Sequence, residues 1–353
     1  MTLICPAFAS AADQGYHRGL QIEGLEYPLG HPDKLNFTYT HNNEDIFRYF
    51  ERKGFDLVRL PMLWERLQPT LGGPLAPEYL RQLKENITWA GKYGLKVVLD
   101  LHNYGRYGGN THIIDSPDAN GKVWVTTSNF ADVWVKLSNE FNNNPAIYAY
   151  DLMNEPHSMG GVDFNIVQQQ VVDAIRGNGD NTLIVIEGGR GSNYSSALYW
   201  EADQAKTPWI KDPADKILYS AHQYFDSGNS GTYPLTYAEE LAKNPDMADI
   251  GRRRLKPFVD WCRRNGVRGY LGEFSVPGNK QCRKPDLDPR WQTLLDSVYQ
   301  ELDAAGMDAT YFAAGIWMND PKSVFPYDNY TQDAQQMNVI LKHPPKKTLN
   351  NIR

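Results

Sequence analysis

The amino-acid sequence predicts an α/β protein folded as a single (β/α)8 (TIM) barrel, and three observations support this. Short runs rich in β-branched and aromatic residues alternate with longer amphipathic runs along the chain. Eight such units fit within 353 residues, as a closed barrel of strands and crossover helices requires. No G-x-G-x-x-G sequence follows the first strand, so the phosphate-binding turn of a dinucleotide-binding sheet is missing from the sequence.

The predicted strands are apolar runs, each followed by a polar loop. They lie at 17–24, 57–62, 96–102, 147–155, 182–188, 217–224, 268–274 and 309–317. Amphipathic segments between them predict crossover helices. These lie at 43–53, 77–93, 129–143, 163–176, 250–265 and 289–305. Because a helix separates successive strands, the strands are expected to run parallel.

Composition excludes two classes of partner. The formal net charge is -6 and no basic cluster is present, so a nucleic-acid partner is not expected. No stretch approaches the roughly 20 apolar residues of a membrane-spanning helix. Aromatic residues make up 12% of the chain, which suits either a large core or stacking against the apolar faces of sugar rings.

The N-terminus resembles the end of a secretory signal peptide. Residues 1–12 form a short apolar stretch that ends in small residues at A-x-A spacing. We therefore expect a secreted or periplasmic protein, a monomer, with residues 13–353 as one domain. The sequence does not decide whether Cys262 and Cys282 form a disulfide. The cysteine and histidine spacings predict neither a metal site nor a cofactor.

Polar residues close the predicted strands, at the end of a barrel where active sites lie. Glu155 closes the fourth strand and Glu273 the seventh, on opposite sides of the barrel mouth. Hydrolysis of a glycosidic bond requires one carboxylic acid to protonate the leaving oxygen and one carboxylate on the other face of the sugar. The two glutamates suit these tasks.

Several motifs accompany them in strand order. They are V-R-L-P with Arg59, D-L-H-N-Y with His102, D-L-M-N-E-P-H with Asn154 and Glu155, H-Q-Y-F-D with His222 and Tyr224, G-E-F with Glu273, and finally Trp317. With these motifs, the chain from Gly19 to Trp317 resembles the cellulase-type family 5 glycoside hydrolases.

The resemblance implies a role for each motif residue. Glu155 would be the acid/base and Glu273 the nucleophile of a retaining reaction. The remaining residues would bind or support: Arg59 and Tyr224 hold the nucleophile, Asn154 binds the sugar 2-hydroxyl, His102 and His222 line the reacting subsite, and Trp317 stacks on the sugar.

The sequence favours a retaining endo-β-1,4-glucanase that acts on cellulose or mixed-linkage β-glucan. A hydrolase of mannan, xyloglucan or xylan, an exo-acting β-glucosidase, and a non-catalytic carbohydrate-binding barrel remain as alternatives. The long segment 105–123 is expected to shape the cleft. Candidates for more distant sugar contacts are Trp64, Tyr104, Tyr107, Trp209 and Asp226, whereas Glu65 and Glu187 are interpreted as structural or rim residues.

Overall fold

Eight parallel strands close into a barrel. The computed structural model describes residues 15–27, 39–315 and 319–347. The barrel strands are β1 (Arg18–Glu23), β2 (Leu57–Met62), β3 (Lys96–Leu101), β4 (Ile147–Asp151), β5 (Leu183–Glu187), β6 (Ile217–Gln223), β7 (Gly269–Phe274) and β8 (Asp308–Gly315). Each strand pairs with the next in the chain, and β8 closes on β1 with Ala309 opposite Arg18. The predicted fold class is therefore confirmed.

Helices connect the strands on the outside of the barrel. They are α1 (Glu44–Arg52), α2 (Trp64–Leu67), α3 (Pro77–Lys92), α4 (Thr127–Phe141), α5 (Phe164–Gly177), α6 (Trp200–Asp203), α7 (Tyr237–Lys243), α8 (Ile250–Asn265), α9 (Pro289–Ala305) and α10 (Met337–Ile340), with a 3-10 turn at Pro245–Asp249. All six predicted helices are present. The four-residue helices escaped prediction because they are too short to show a helical repeat.

Local capping sets the boundaries of the long helices. The side chain of Thr126 accepts a hydrogen bond from the backbone N–H of Asn129, and the side chain of Asn129 accepts one from the backbone N–H of Thr126, the cap of α4. Gly266 and Gly306 end α8 and α9 in the left-handed conformation, with φ of 64° and 62°. These caps fix the residue at which each helix ends and the loop to the next strand begins.

The lower part of the barrel is filled by side chains from alternate positions on the strands. Leu57, Val98, Ala149, Val185, Leu218 and Tyr270 form a fully buried layer. The barrel is therefore a packed core below its mouth, and polar side chains gather above this layer.

Two tryptophans suggested as sugar contacts pack against other aromatic side chains. Trp64 is completely buried and its indole donates to Gln68. Trp209 packs against Tyr219 and Trp261, with ring centroids 4.8 and 6.0 Å away. The predicted sugar contact of Trp64 is therefore wrong because its ring is buried, whereas Trp209 is half-buried and its contact with a distant sugar stays a prediction.

The predictions about the cysteines, the membrane and the chain termini have different outcomes. Cys262 and Cys282 are free and buried. Of the helices in the described ranges, none combines the length and apolar character needed to cross a membrane. The segment 1–12 and Trp317 lie outside the described residues.

Candidate functional site

A cleft opens over the carboxyl ends of the strands. Its volume is about 690 Å³, and it is lined by side chains that include Glu155, Glu273, His102, His222 and Tyr224. Five residues singled out from four separate motifs therefore meet in one cavity. The geometry follows from the parallel strands, whose carboxyl ends all face the same side of the barrel.

Arg59, from the middle of β2, lies at the centre of the polar network beneath the cleft. The guanidinium is completely buried and donates to Glu273 Oε1 at 2.6 Å and to Asn154 Oδ1 at 2.9 Å. It also contacts oxygens of three further acidic side chains within 3.2 Å: Asp100, Asp151 and Glu187. Burial disfavours the charge of Arg59, but these carboxylates hold its pKa well above the ordinary value.

Glu273 is held as a carboxylate. In addition to the Arg59 bond at Oε1, Tyr224 donates its hydroxyl to Oε2 at 2.7 Å. Burial opposes ionisation, but the charges of His222 and Arg59 outweigh it and lower the pKa of Glu273 to about 2. Glu273 is therefore ionised and carries a hydrogen bond on each oxygen.

Glu155 lies in a backbone conformation that non-glycine residues rarely adopt. Its φ is 42°, and its N–H donates to Glu187 Oε2 at 2.8 Å. Burial raises the pKa of the Glu155 carboxyl, the hydrogen bond with His222 opposes that rise, and the charge of Glu273 adds to it. The same cleft thus holds one carboxyl whose pKa is raised and one whose pKa is lowered.

His222, on β6, connects these two carboxyls. Its Nδ1 lies 2.7 Å from Glu155 Oε1 and 3.7 Å from Glu273 Oε2, and its Nε2 lies 3.1 Å from Glu187. Burial disfavours the imidazolium, but Glu187 and Glu273 raise the pKa of His222 well above the ordinary value. Glu155, His222 and Glu273 each place one polar atom within 4.8 Å of the others.

Two predicted binding residues flank this group. Asn154 is buried, and its Nδ2 has no hydrogen-bond partner among the residues that the structure describes, which leaves this amide nitrogen able to donate to a ligand. His102 Nδ1 lies 2.7 Å from Asp100 Oδ2, and Nε2 lies 3.2 Å from the Tyr104 hydroxyl. Burial opposes protonation of His102, but Asp100 raises its pKa to about 9.

The aromatic side chain that β8 contributes to the cleft is Phe312. It lines the cavity with its ring centroid 6.0 Å from that of Tyr224. Sequence reasoning missed Phe312 because A-T-Y-F-A-A-G looks like a continuous apolar strand, without a polar residue to mark the site. Trp317, the aromatic residue predicted here, lies outside the described residues.

A second aromatic residue was missed in the loop after β5. Tyr194 is 48% exposed, lines the cleft, and its ring lies 3.8 Å from that of His157. Tyr194 and Ser195 both have left-handed φ values, of 51° and 56°, and Ser195 Oγ donates to the Gly188 carbonyl at 2.7 Å. A run rich in turn-forming residues, G-G-R-G-S-N-Y-S-S, gave no signal for a fixed aromatic ring.

Of the other candidate residues, some line the cleft and others hold the loops around it in place. Tyr104 lines the cleft, as does Asn110 from the long segment 105–123. Glu65 accepts hydrogen bonds from Gly109 N and Asn103 Nδ2, which supports its structural interpretation. Asp226 is buried and accepts bonds from the backbone of its own loop, so the prediction of a sugar contact there is wrong.

The chain is similar to known proteins over nearly its whole length. The model of the family described as cellulase (glycosyl hydrolase family 5) matches residues 15–323. Endo-beta-1,4-glucanase A of Emericella nidulans is 30% identical over 325 residues, which cover 90% of each chain. The crystal structure of Pseudomonas stutzeri endoglucanase Cel5A with cellobiose is 34% identical over 93% of this chain and 92% of that one, with a TM-score of 0.79. The structure of XacCel5A in complex with cellopentaose is 29% identical over 93% of this chain and 99% of that one, also with a TM-score of 0.79.

Proposed function

We propose that this chain, which belongs to the cellulase family, glycosyl hydrolase family 5, is a retaining endo-β-1,4-glucanase. The observation that carries the proposal is the approach of Glu155 and Glu273, since one carboxyl oxygen of each lies within 4.8 Å of the other. Retaining glycosidases keep their two carboxyls about 5 to 5.5 Å apart, whereas inverting ones leave a wider gap for water. The opposite pKa shifts of the two groups suit an acid and a nucleophile.

In the first step, Glu273 forms a bond to the anomeric carbon while the glycosidic bond breaks. Glu155 gives its proton to the departing oxygen, so the leaving sugar departs with a free hydroxyl. Once Glu273 is an ester its negative charge is gone, and the pKa of Glu155 falls because that charge had helped to raise it. Glu155 then takes a proton from water, whose oxygen attacks the anomeric carbon and releases Glu273.

The surrounding residues support this sequence. Arg59 and Tyr224 keep Glu273 ionised and fix its orientation. The free Nδ2 of Asn154 suits a bond to the 2-hydroxyl of the reacting sugar, which strengthens as the transition state forms. His102, His222 and Phe312 would line the reacting subsite, and Tyr194 would face the departing sugar beside His157.

A β-1,4-glucan is the substrate that we propose. The relatives include an endo-beta-1,4-glucanase and structures with cellobiose and cellopentaose bound. A cleft of about 690 Å³ is large enough for more than the reacting sugar, which suits attack within a chain. Residues 13–353 would form one catalytic domain, and secretion and the monomeric state stay predictions.

A trapping experiment tests the mechanism. A 2-deoxy-2-fluoro-cellobioside with an activated leaving group slows both steps, and the activated group lets the ester form faster than it is hydrolysed. Mass spectrometry of the digested protein should locate the sugar on the peptide that contains Glu273, and Glu273→Gln should give no adduct. A label elsewhere, or products of inverted configuration by NMR, would contradict the proposal.

A panel of polymers tests the substrate. We expect the protein to shorten carboxymethyl-cellulose and barley β-glucan into oligomers, and Glu273→Gln to abolish this. Activity confined to mannan, xyloglucan or xylan would keep the mechanism and replace the substrate. Binding without cleavage would favour a non-catalytic barrel.

A further inference from the structure

Glu187, the last residue of β5, contacts the proposed acid/base from outside the cleft. It is 1% exposed and is not among the side chains that line the cavity. Its Oε2 accepts a hydrogen bond from the N–H of Glu155 at 2.8 Å, and its Oε1 lies 3.1 Å from His222 Nε2. Because His222 Nδ1 lies 2.7 Å from Glu155 Oε1, Glu187 holds Glu155 at two points. It holds the backbone directly and the carboxyl through the imidazole.

The backbone of Glu155 needs such support. Its φ of 42° is rare for any residue other than glycine, and Pro156 follows, although a residue before proline prefers a φ of about -120°. Ser158, in the same turn, has a φ of 46°, and its N–H donates to the Gly191 carbonyl at 3.0 Å. Strained conformations persist only where the surrounding structure holds them. The end of β5 and the loop after it therefore hold this turn at both ends.

Glu187 is itself fixed and ionised. Gln168, a buried residue of α5, donates through Nε2 to the Glu187 carbonyl at 2.8 Å, and Arg59 Nη2 donates to Glu187 Oε1 at 3.2 Å. Burial disfavours the charge of Glu187, but His222 and Arg59 outweigh it and lower the pKa of Glu187 below the ordinary value. An ionised carboxyl only accepts hydrogen bonds, which suits both the N–H of Glu155 and a protonated imidazole.

We propose that Glu187 is a positioning residue that orients Glu155 for proton transfer, through the backbone N–H of Glu155 and through His222. This inference rests on the proposed function, because it assigns Glu187 to the acid/base of that reaction. An acid must lie within hydrogen-bond reach of the oxygen that it protonates, and a small displacement slows the transfer strongly. Without Glu187 the turn can relax and carry the Glu155 carboxyl away, whereas Glu273 keeps its own hydrogen-bond donors. The loss should therefore be confined to steps in which Glu155 moves a proton.

The test compares two substrates that differ in their need for an acid. The sugar that leaves cellopentaose must receive a proton, whereas the leaving group of 2,4-dinitrophenyl β-cellobioside departs as a stable phenolate without one. In Glu187→Gln, kcat/KM for cellopentaose should fall on the order of 100-fold, because general acid catalysis is impaired. The ratio of cellopentaose activity to aryl cellobioside activity should fall by about tenfold or more. The ratio cancels any loss of folded protein or any effect on Glu273 that both substrates share.

Asp151→Asn is the matched control. Asp151 is a buried carboxyl on β4 that contacts Arg59, as Glu187 does, but among the described residues it bonds neither Glu155 nor His222. This variant should lower the melting temperature and leave the ratio of the two activities unchanged. A Glu187→Gln protein that loses the same factor on both substrates, or that loses nothing on either, would overturn the inference and leave the proposed function intact. Inactivity of the wild type on both substrates would instead reject the proposed function.

The second step of the reaction gives an independent readout, because Glu155 must then take a proton from water. With the aryl cellobioside, Glu187→Gln should lower kcat and KM together, since the ester on Glu273 accumulates. Azide attacks the anomeric carbon without the help of a base and releases Glu273, so it should raise kcat and give a cellobiosyl azide. A kcat that does not respond to azide would contradict the proposal. If Glu187→Gln does not fold, Glu187→Asp keeps the charge but is one methylene shorter, and the ratio of the two activities should fall in the same direction.

Discussion

The two carboxyl groups of the site differ because their neighbours differ. Glu273 receives bonds from Arg59 and Tyr224, which favour its charge. The Glu155 carboxyl is hydrogen-bonded to His222, which favours its ionisation. Burial and the charge of Glu273 oppose that ionisation. Since the groups interact closely, they titrate as a coupled system in which His222 influences both.

Replacing His222 with asparagine should therefore move the whole pH profile of activity. Loss of the positive charge removes an effect that lowers the pKa of both Glu155 and Glu273. Glu273 must be ionised and Glu155 protonated, so both limbs of the kcat/KM profile should shift to higher pH. His112→Asn, at a histidine stacked on Trp124 in the 105–123 segment, serves as the control and should shift neither limb. A uniform loss of activity without any shift would show that His222 acts by shape alone.

At the level of elements, helix α8 supports the end of β6. Arg254 donates through Nη1 to the backbone carbonyls of Tyr224 at 2.6 Å and Asp226 at 2.9 Å. The hydroxyl of Tyr224 in turn bonds Glu273. A helix on the outside of the barrel thus sets the position of a group that contacts the proposed nucleophile.

Arg254→Met should therefore lower kcat by about ten- to hundredfold, because displacement of Tyr224 disturbs the reacting geometry. The acid limb of the pH profile should also move to higher pH, because Tyr224 helps to lower the pKa of Glu273 and its displacement would raise that pKa. Arg253→Met is a matched control on the same helix, because Arg253 is exposed and pairs only with Asp246 among the described residues. If Arg254→Met changes the melting temperature but neither kcat nor the acid limb, its role is structural.

Across the whole molecule, Arg59 joins most of the barrel. It contacts side chains from β1, β3, β4, β5 and β7, namely Gln21, Asp100, Asp151, Glu187 and Glu273. Removing one partner of a buried ion network leaves the others uncompensated, which destabilises a protein by about 3–5 kcal/mol.

Arg59→Met should lower the free energy of unfolding by about that amount at pH 7. The folded-state pKa of Glu273 is depressed to about 2, so its stabilising contribution is present above the ordinary pKa of a glutamate and is lost as pH falls toward 2. Without Arg59 that contribution is smaller, so the deficit should shrink at pH 3. Urea unfolding at both pH values measures this, with Arg48→Met, an exposed arginine paired with Asp45, as the control. An equal deficit at both pH values would rule out the electrostatic explanation.

The sequence predicted those features that depend on periodicity and order. Glu155, His222 and Glu273 were found because a parallel barrel brings all strand ends together. Phe312 was missed because it continues the apolar pattern of its strand, and only the closed barrel reveals which side chains reach the cleft. Trp64 was misassigned because aromatic content does not tell which rings face the core.

Closure of the barrel also has a consequence for synthesis of the protein. The backbone of His17, beside β1, bonds the side chain of Asp308, and 291 residues separate the two. At about 5–20 residues per second, a ribosome needs on the order of 15 to 60 s to make the intervening chain. During that interval β1 has no β8 to cover its open edge, and Arg59 is made well before Glu273. We therefore expect the nascent chain to depend on chaperones until its last strand emerges.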